Sequence, residues 1–322
     1  MNPEVLEKHL LEFPVEVFVE NTSENLIAQM ERKKFRGVVF GASGGVDSLV
    51  TAALCLKARE KSDSWHIVGL QMNDTRVKGE SYNREVYRDL GVDLILRDIT
   101  KEAIVHEKQS GMPPRWLTVC LMKFFLRWTP TMARRRLILA LKAGTAPGWA
   151  LIHFQLLTLL HRLRIERLRK YATRNALMIV ICANRTEGTL GYFVEKGIDD
   201  PDMGDYAPVA GLYKSQVIRA AKFLCLPEKV ICQWPSPGFG DIYDEQIIGP
   251  YSLVDLVLVG LELGYSDAEI REVIELFADE WRKKTFLKIK PSYDIQYVRF
   301  LRKLVASISS EVGVGRSQAV KR

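Results

Sequence analysis

The sequence contains few cysteines, and their spacing excludes two common uses of that residue. Five cysteines occur among 322 residues and none belongs to a C-x-x-C pair, which argues against a disulfide-built fold and against a structural zinc site. No uncharged apolar run reaches the roughly 18 residues that a membrane-spanning helix needs. The first residues also lack the basic start and apolar core of a secretion signal. These absences predict a cytoplasmic protein in a reducing compartment.

Acidic residues are scarce in one part of the chain. The whole chain carries a net charge of +7 and an ordinary apolar fraction of 47%, which predicts a globular rather than a disordered protein. Residues 108–175 contain fourteen Lys and Arg side chains but a single acid, Glu166, so the rest of the chain carries −6. The sequence therefore indicates an acidic body with one basic, apolar segment.

Short apolar runs alternate with helical patterns along most of the chain. This alternation is typical of an α/β fold in which helices cover both faces of a parallel sheet. We expect one domain over 1–312, a helical insertion at about 108–160 and a flexible tail at 313–322. The predicted strands are 37–41, 65–72, 92–97 and 177–182, and the predicted helices include 23–35, 49–58, 84–90 and 215–224.

A glycine turn joins the first predicted strand to the next helix. Gly44 and Gly45 carry no side chain, so their N–H groups can face an anion at the positive end of that helix. Ser43 and Ser48 add hydroxyl donors. Asp47 would repel a phosphate directly but can hold Mg²⁺ against it. Because no Lys follows the glycines, this is not a Walker A loop, yet it predicts a nucleotide-phosphate site.

The string Ser-Gly-Gly-Val-Asp-Ser at 43–48 resembles the pyrophosphate loop of the N-type ATP pyrophosphatases. Within that superfamily, three later blocks resemble ammonia-dependent NAD synthetase in the same order along the chain. They lie at 184–193, 204–217 and 235–251. The resemblance implies the parallel-sheet, adenine-nucleotide-binding fold of this superfamily.

The resemblance also implies a two-step ligase reaction. A carboxylate attacks the α-phosphate of ATP, pyrophosphate leaves, and ammonia then displaces AMP from the acyl-adenylate. In the family the acid is deamido-NAD and the product is NAD. Amidation of another carboxylic acid, and sulfur transfer through a persulfide on Cys182, are the alternatives. The family pattern further implies a homodimer, and we expect no nucleic-acid partner.

Individual residues take roles from the matched blocks. Asp47 and Glu187 would bind Mg²⁺, and Asp47 and Lys214 would act in catalysis. Taken alone, Glu187 is also explained as a helix cap and Lys214 as a solvated charge at a helix end. The expected ATP-binding residues are Ser43, Gly44, Gly45, Asp47, Ser48, Cys182, Lys214 and Ser236. The expected substrate-binding residues are Arg162, Arg164, Lys196 and Asp205.

The sequence departs from the family pattern on the side of the acid substrate. Ile181 and Cys182 stand where the family has Gly-Thr, and Glu195 replaces a Lys that meets the dinucleotide. Lys196, one place later, is the candidate substitute. The arginine helix has two registers: Arg162 and Arg164 fit without a gap, and Arg134 and Arg136 are the rival pair. The departures leave the ATP chemistry intact and put the identity of the acid in question.

The insertion at about 108–160 has three interpretations. Its apolar and basic side chains could pack in a homodimer interface, cap the substrate, or lie on a membrane surface as basic helices with Trp do. We favour the interface, then the cap. Trp116, Phe124, Phe125 and Trp128 would otherwise expose an apolar patch larger than soluble monomers tolerate.

Overall fold

The computed structural model describes residues 8, 10, 12–62, 65–76, 83–236, 242–284 and 293–312, with backbone only at 277–284 and 308–312. The strands are β1 (Gly37–Gly41), β2 (His66–Asn73), β3 (Asp93–Asp98) and β4 (Met178–Val180). The helices are α1 (Val15–Lys33), α2 (Val46–Glu60), α3 (Arg84–Asp89), α4 (Thr100–Gln109), α5 (Arg115–Trp128), α6 (Thr131–Lys142), α7 (Gly148–Asn175), α8 (Arg185–Leu190), α9 (Lys214–Phe223), α10 (Glu228–Ile231), α11 (Tyr251–Glu262), α12 (Asp267–Lys284) and α13 (Ile295–Val312). Short 3₁₀ helices occupy Pro201–Met203 and Asp244–Gln246.

The four strands form one parallel sheet in the order β3-β2-β1-β4. Val38 of β1 is the register partner of Ile67 on one side and of Met178 on the other. The parallel α/β architecture expected from the sequence is therefore confirmed. Because the strand order reverses at β1, the turns after β1 and β4 lie side by side at the carboxyl edge, which is where such sheets bind ligands.

Helices cover both faces of the sheet. On one face, α1, α2 and α9 contact one another and share a core with β1 that includes Leu26, Leu49 and Val217, all fully buried. On the other face, α7 packs on β1 and β4 through residues such as Leu168. A second core joins α8, α11, α12 and α13 beside the sheet. Helices thus pack on both faces of the sheet, and four further helices form a core of their own.

The first helix differs from its prediction. The sequence predicted a helix that starts at Ser23, but α1 begins at Val15 and Ser23 lies inside it. The Ser23 hydroxyl donates to the carbonyl of Val19 at 2.8 Å, and this bond to the preceding turn satisfies a buried hydroxyl without a cap. Gly91, two residues after the end of α3, has φ +80°, the left-handed conformation that glycine commonly adopts at a helix end.

The basic, apolar segment folds as α5, α6 and the start of α7. Its helices contact each other, and α6 also contacts α13. Among the described residues, no helix has the length and apolarity needed to cross a membrane. The tail predicted at 313–322, and residues 237–241 of the block at 235–251, lie outside the described residues.

Candidate active site

The glycine turn is held from outside by two residues that the sequence did not single out. The phenol oxygen of Tyr87 accepts from the N–H of Gly44 at 3.1 Å and lies 2.7 Å from the hydroxyl of Ser48. Asn83 donates to the carbonyl of Gly44 at 2.7 Å. Gly44 has φ +81°, a conformation that favours glycine. Because Tyr87 is fully buried, these bonds fix the turn before any ligand binds.

Two of the predicted anion donors are used within the protein. The N–H of Gly44 is bound by Tyr87, and the N–H of Gly45 donates to the hydroxyl of Ser43 at 3.2 Å. This differs from the prediction that both glycine N–H groups face an anion. The positive end of α2 instead begins at Val46, directly after Gly45, so its first turn presents the remaining N–H groups to the cavity.

A charged cluster forms where the turn after β1 meets the turn after β4. Lys214, at the start of α9, makes an ion pair with Asp47 and is buried. Asn184 donates to Asp47 at 3.1 Å and caps α8 by accepting from the N–H of Glu187 at 3.0 Å. Glu187 in turn accepts from the N–H of Asn184 at 3.3 Å. Asn184 thus joins the two carboxylates, and the helix-cap interpretation of Glu187 is confirmed alongside its place in the cluster.

Three carboxyl groups share this cluster with one lysine. Burial, followed by the charge of Asp47, raises the pKa of Glu187 to about 8. Burial also raises the pKa of Asp244. Burial alone would lower the pKa of Lys214, but the charges of Asp47 and Glu187 outweigh it and raise that pKa. The excess of carboxylates favours a bound cation, because a cation would relieve the repulsion between Asp47 and Glu187.

The donor set is compatible with Mg²⁺ that is completed by a nucleotide. Among the described residues, no group of three or more His, Cys, Asp or Glu side chains is arranged to hold a metal ion. Mg²⁺ commonly takes one or two protein carboxylates and fills its other positions with phosphate and water oxygens. Asp47 and Glu187 fit that pattern.

Two tyrosines fix the third carboxyl group. Asp244 accepts from the hydroxyl of Tyr192 at 2.9 Å and from that of Tyr251 at 3.1 Å. The Lys214 ammonium lies 5.1 Å from the centroid of the Tyr251 ring, within the range of a cation–π contact. These residues fall in blocks that the sequence comparison matched, but the sequence alone assigned them no role.

The cluster opens into a cavity of about 820 Å³. The predicted residues that line it are Ser43, Gly45, Asp47, Ser48, Arg164, Cys182, Glu187, Lys214 and Ser236. Arg164 also donates to the carbonyl of Met72 at 3.2 Å, and Ser236 donates to the carbonyl of Ile242 at 2.9 Å. The structure therefore brings together most of the residues predicted for ATP, with Gly44 just behind the cavity wall.

Three of the predicted substrate-binding residues lie elsewhere. Arg162 is exposed on α7 and does not line the cavity. Lys196 is also exposed, and its N–H donates to Asp200 at 2.8 Å. Asp205 lies beside β4, where it accepts from the N–H of Ile179 at 2.9 Å and pairs with Lys33 at 2.7 Å. Lys196 and Asp205 thus make contacts within the protein, away from the cavity where they were expected to bind the substrate.

The rival arginine register does not supply the missing contacts. Arg134 is buried and donates to the carbonyl of Leu126 at 3.1 Å, which gives it a structural role between α5 and α6. Arg136 is exposed, and neither residue lines the cavity. Of the two registers, only Arg164 therefore reaches the cavity.

The chain matches a family model described as NAD synthase over residues 18–113 and 152–293, which leaves 114–151 unmatched. An NH(3)-dependent NAD(+) synthetase of Thermotoga maritima is 30% identical over 73% of this chain and 83% of the relative. One from Thermotoga neapolitana is 29% identical over 82% and 95%.

Solved structures share the fold at lower identity. A structure titled NMN synthetase from Francisella tularensis superposes with a TM-score of 0.58 at 20% identity, and covers 87% of this chain and all of its own. An NH3-dependent NAD synthetase from Campylobacter jejuni gives 0.57 at 19% identity, with 92% and 95% covered.

Proposed function

The chain belongs to the NAD synthase family, and from this we propose that it is an ATP-dependent ligase that joins ammonia to the carboxylate of deamido-NAD and releases AMP and pyrophosphate. The observation that carries the proposal is the cluster of Asp47, Glu187 and Lys214 at the carboxyl edge of the sheet. Its place between the first turn of α2 and the turn after β4 suits the phosphates of a nucleotide.

The first step brings two anions together. The substrate carboxylate attacks the α-phosphorus of ATP, the bond to the bridging oxygen breaks, and pyrophosphate leaves with the electron pair. The first turn of α2 directs its N–H groups toward the phosphates, and Lys214 supplies a buried positive charge. Mg²⁺ held by Asp47 and Glu187 would offset the charge of the departing pyrophosphate.

The second step needs a site that excludes water. Ammonia attacks the carbonyl carbon of the acyl-adenylate, loses a proton, and AMP leaves as the amide forms. Water would compete for the same carbon, so hydrolysis is the wasteful side reaction. The inserted helices line the cavity with Phe125, Leu137 and Leu141, and such apolar walls limit the access of water.

The family pattern adds a homodimer, Mg²⁺ and a cytoplasmic location to the proposal. Five free cysteines support a reducing compartment. The pair of carboxylates supports Mg²⁺. Omission of Mg²⁺ should abolish AMP formation, and isothermal titration should show that ATP binds more weakly without it.

One assay tests the proposed reaction. Purified protein is incubated with ATP, Mg²⁺, an ammonium salt and deamido-NAD, and AMP and NAD are quantified together. Equal yields of AMP and NAD are expected, with neither product formed when ammonium or deamido-NAD is omitted. ATP hydrolysis to ADP, or AMP formed without any amide, would contradict the proposal.

A further inference from the structure

The cavity wall has two chemically different parts. One part carries Asp47, Glu187 and Lys214 and meets the nucleotide. The other part, here called the apolar wall, consists of Leu121, Phe125, Leu137, Ile138, Leu141 and Trp149. All six residues of the apolar wall belong to 114–151, the stretch that the family model leaves unmatched. The inserted segment therefore contributes surface to the reaction chamber, and that surface is hydrophobic.

The apolar wall is a poor match for a dinucleotide. Two riboses and two phosphates need hydrogen-bond partners and cations, since burying such groups without partners is unfavourable. Arg162 and Lys196, which were expected to supply cations, lie outside the cavity. Lys142 lines it, but its ammonium lies 5.6 Å from the centroid of the Phe193 ring. Lys229 also lines the cavity, and its ammonium pairs with Glu85 at 2.5 Å. Among the described residues that line the cavity, Arg164 is the one arginine.

The few polar groups near the apolar wall are bonded to each other. Thr118 lies 2.6 Å from Nδ1 of His153, and Nδ1 of His161 lies 3.2 Å from Asp199. Such pairs reduce the number of groups that must find a partner on a ligand. A ligand with an apolar body would leave these bonds intact and would cover part of Leu121, which lines the cavity and is 44% exposed.

We propose that the apolar wall binds the apolar body of a second class of acceptor, a carboxylic acid with an aromatic ring system or a medium-length alkyl chain. This inference rests on the proposed function, because the acid is amidated by the same reaction. The acid carboxylate attacks the α-phosphorus of ATP and pyrophosphate leaves. Ammonia then attacks the carbonyl carbon and gives up one proton to solvent, and AMP departs. The products are the primary amide, AMP and pyrophosphate.

Acids of graded apolar size test the proposal directly. The protein is incubated with ATP, Mg²⁺ and ammonium together with 2-naphthoate, decanoate, nicotinate or deamido-NAD, and AMP and the amide are measured. Naphthoate or decanoate should give kcat/KM at least about tenfold above nicotinate, a difference that corresponds to about 1.4 kcal/mol of transition-state binding. Nicotinate is the control because it offers a carboxylate and a single small ring.

Two variants with similar exposure locate the binding surface. Leu121 and Met132 are 44% and 43% exposed on neighbouring inserted helices, but only Leu121 lines the cavity. Leu121→Arg should raise KM for the better apolar acid about tenfold or more, because it places a charge against the apolar body. Met132→Arg should leave KM within about twofold, and neither change should affect the dissociation constant of ATP.

The outcomes separate the inference from the proposed function. If deamido-NAD gives AMP and NAD while no apolar acid is amidated or competes with it, the inference is overturned and the function stands. If apolar acids are amidated and deamido-NAD is not, the inference holds and the acceptor assigned above is wrong. If no acid gives AMP although ATP binds, both the proposed ligase function and the inference about the apolar wall are wrong. Equal effects of Leu121→Arg and Met132→Arg would also overturn the assignment to the apolar wall.

Discussion

Asp47 lies at the centre of the charged cluster. It contacts Lys214 from α9 and Asn184 from the start of α8, so one carboxylate connects three segments that are distant in sequence. The sequence identified Asp47, Glu187 and Lys214 because each lies in a recognisable local string. It could not identify Tyr87, because that residue lies in no such string and reaches Gly44 and Ser48 only through the fold, across 43 and 39 positions.

We predict that Asp47→Asn lowers the rate of pyrophosphate release by about 100-fold or more, because an amide neither pairs with Lys214 nor provides the charge that holds a cation. Circular dichroism should show an unchanged fold. Asp93→Asn, at an exposed position on β3, is the matched control and should keep the wild-type rate. A normal rate in the Asp47 variant would refute its role.

The reactivity of Cys182 distinguishes amidation from sulfur transfer, because sulfur transfer would need a persulfide on this residue. Burial raises the pKa of its thiol to about 12, so it stays protonated at neutral pH and is a poor nucleophile. We predict that Cys182→Ala retains AMP formation within about threefold of wild type, and that iodoacetamide labels the exposed Cys120 and Cys225 well before it. Rapid labelling of Cys182, or loss of all activity in the variant, would instead favour a persulfide mechanism.

At the scale of elements, the sheet was predictable and some helix boundaries were not. Strands covered on both faces need apolar runs, and those runs located β1 to β4 to within two residues at every end. The start of α1 was predicted wrongly because a Ser before an amphipathic stretch is typical of a helix cap. In the structure, the Ser23 hydroxyl instead donates to the carbonyl of Val19 in the preceding turn. Tertiary packing of Val15 and Val19 extends α1 beyond that local signal.

Asp255 fastens three helices behind the charged cluster. It is buried on α11 and accepts from the hydroxyl of Thr186 on α8 at 2.6 Å and from the hydroxyl of Ser215 on α9 at 2.6 Å. Burial nevertheless raises the pKa of Asp255 to about 6. Because the folded state holds this proton more tightly than the unfolded state, the associated stability is present below about pH 4 and is lost as pH rises through about 6.

Asp255→Asn should remove that pH dependence. Between pH 4.5 and 7, the wild-type free energy of unfolding should fall relative to the variant by about 2 kcal/mol. The variant should be less stable overall at both values, since an amide nitrogen cannot accept from Ser215. Urea unfolding of both proteins, without ligands, measures the difference. A gap between them that is the same at both pH values would contradict the raised pKa.

At the scale of the whole molecule, the inserted segment has an exposed face as well as a cavity-lining one. Trp116, Phe124 and Trp128 of α5 are each more than half exposed. The guanidinium of Arg127 lies 6.0 Å from the centroid of the Trp128 ring, so basic and aromatic side chains share this face. The sequence showed the composition of the segment but could not show which side chains face the cavity.

We predict that a second copy of the chain covers the exposed face of α5, so that light scattering reports a homodimer. Because Lys123 and Arg127 would approach their counterparts, added salt should strengthen the dimer by screening this repulsion. The double change Trp116→Ser and Phe124→Ser should give a monomer. A wild-type monomer that binds anionic vesicles and is released by salt would support the membrane interpretation instead.

The position of the inserted segment also has a consequence for folding. Val38 of β1 pairs with Met178 of β4 across 140 positions, and residues 114–151 lie within that span. The entropy of closing a loop grows only with the logarithm of its length, so removing those residues would ease closure by only about 0.3 kcal/mol. The entropy of loop closure therefore sets almost no limit on the length of a segment inserted between β1 and β4. Whether residues 114–151 fold stably depends on how well their own helices pack.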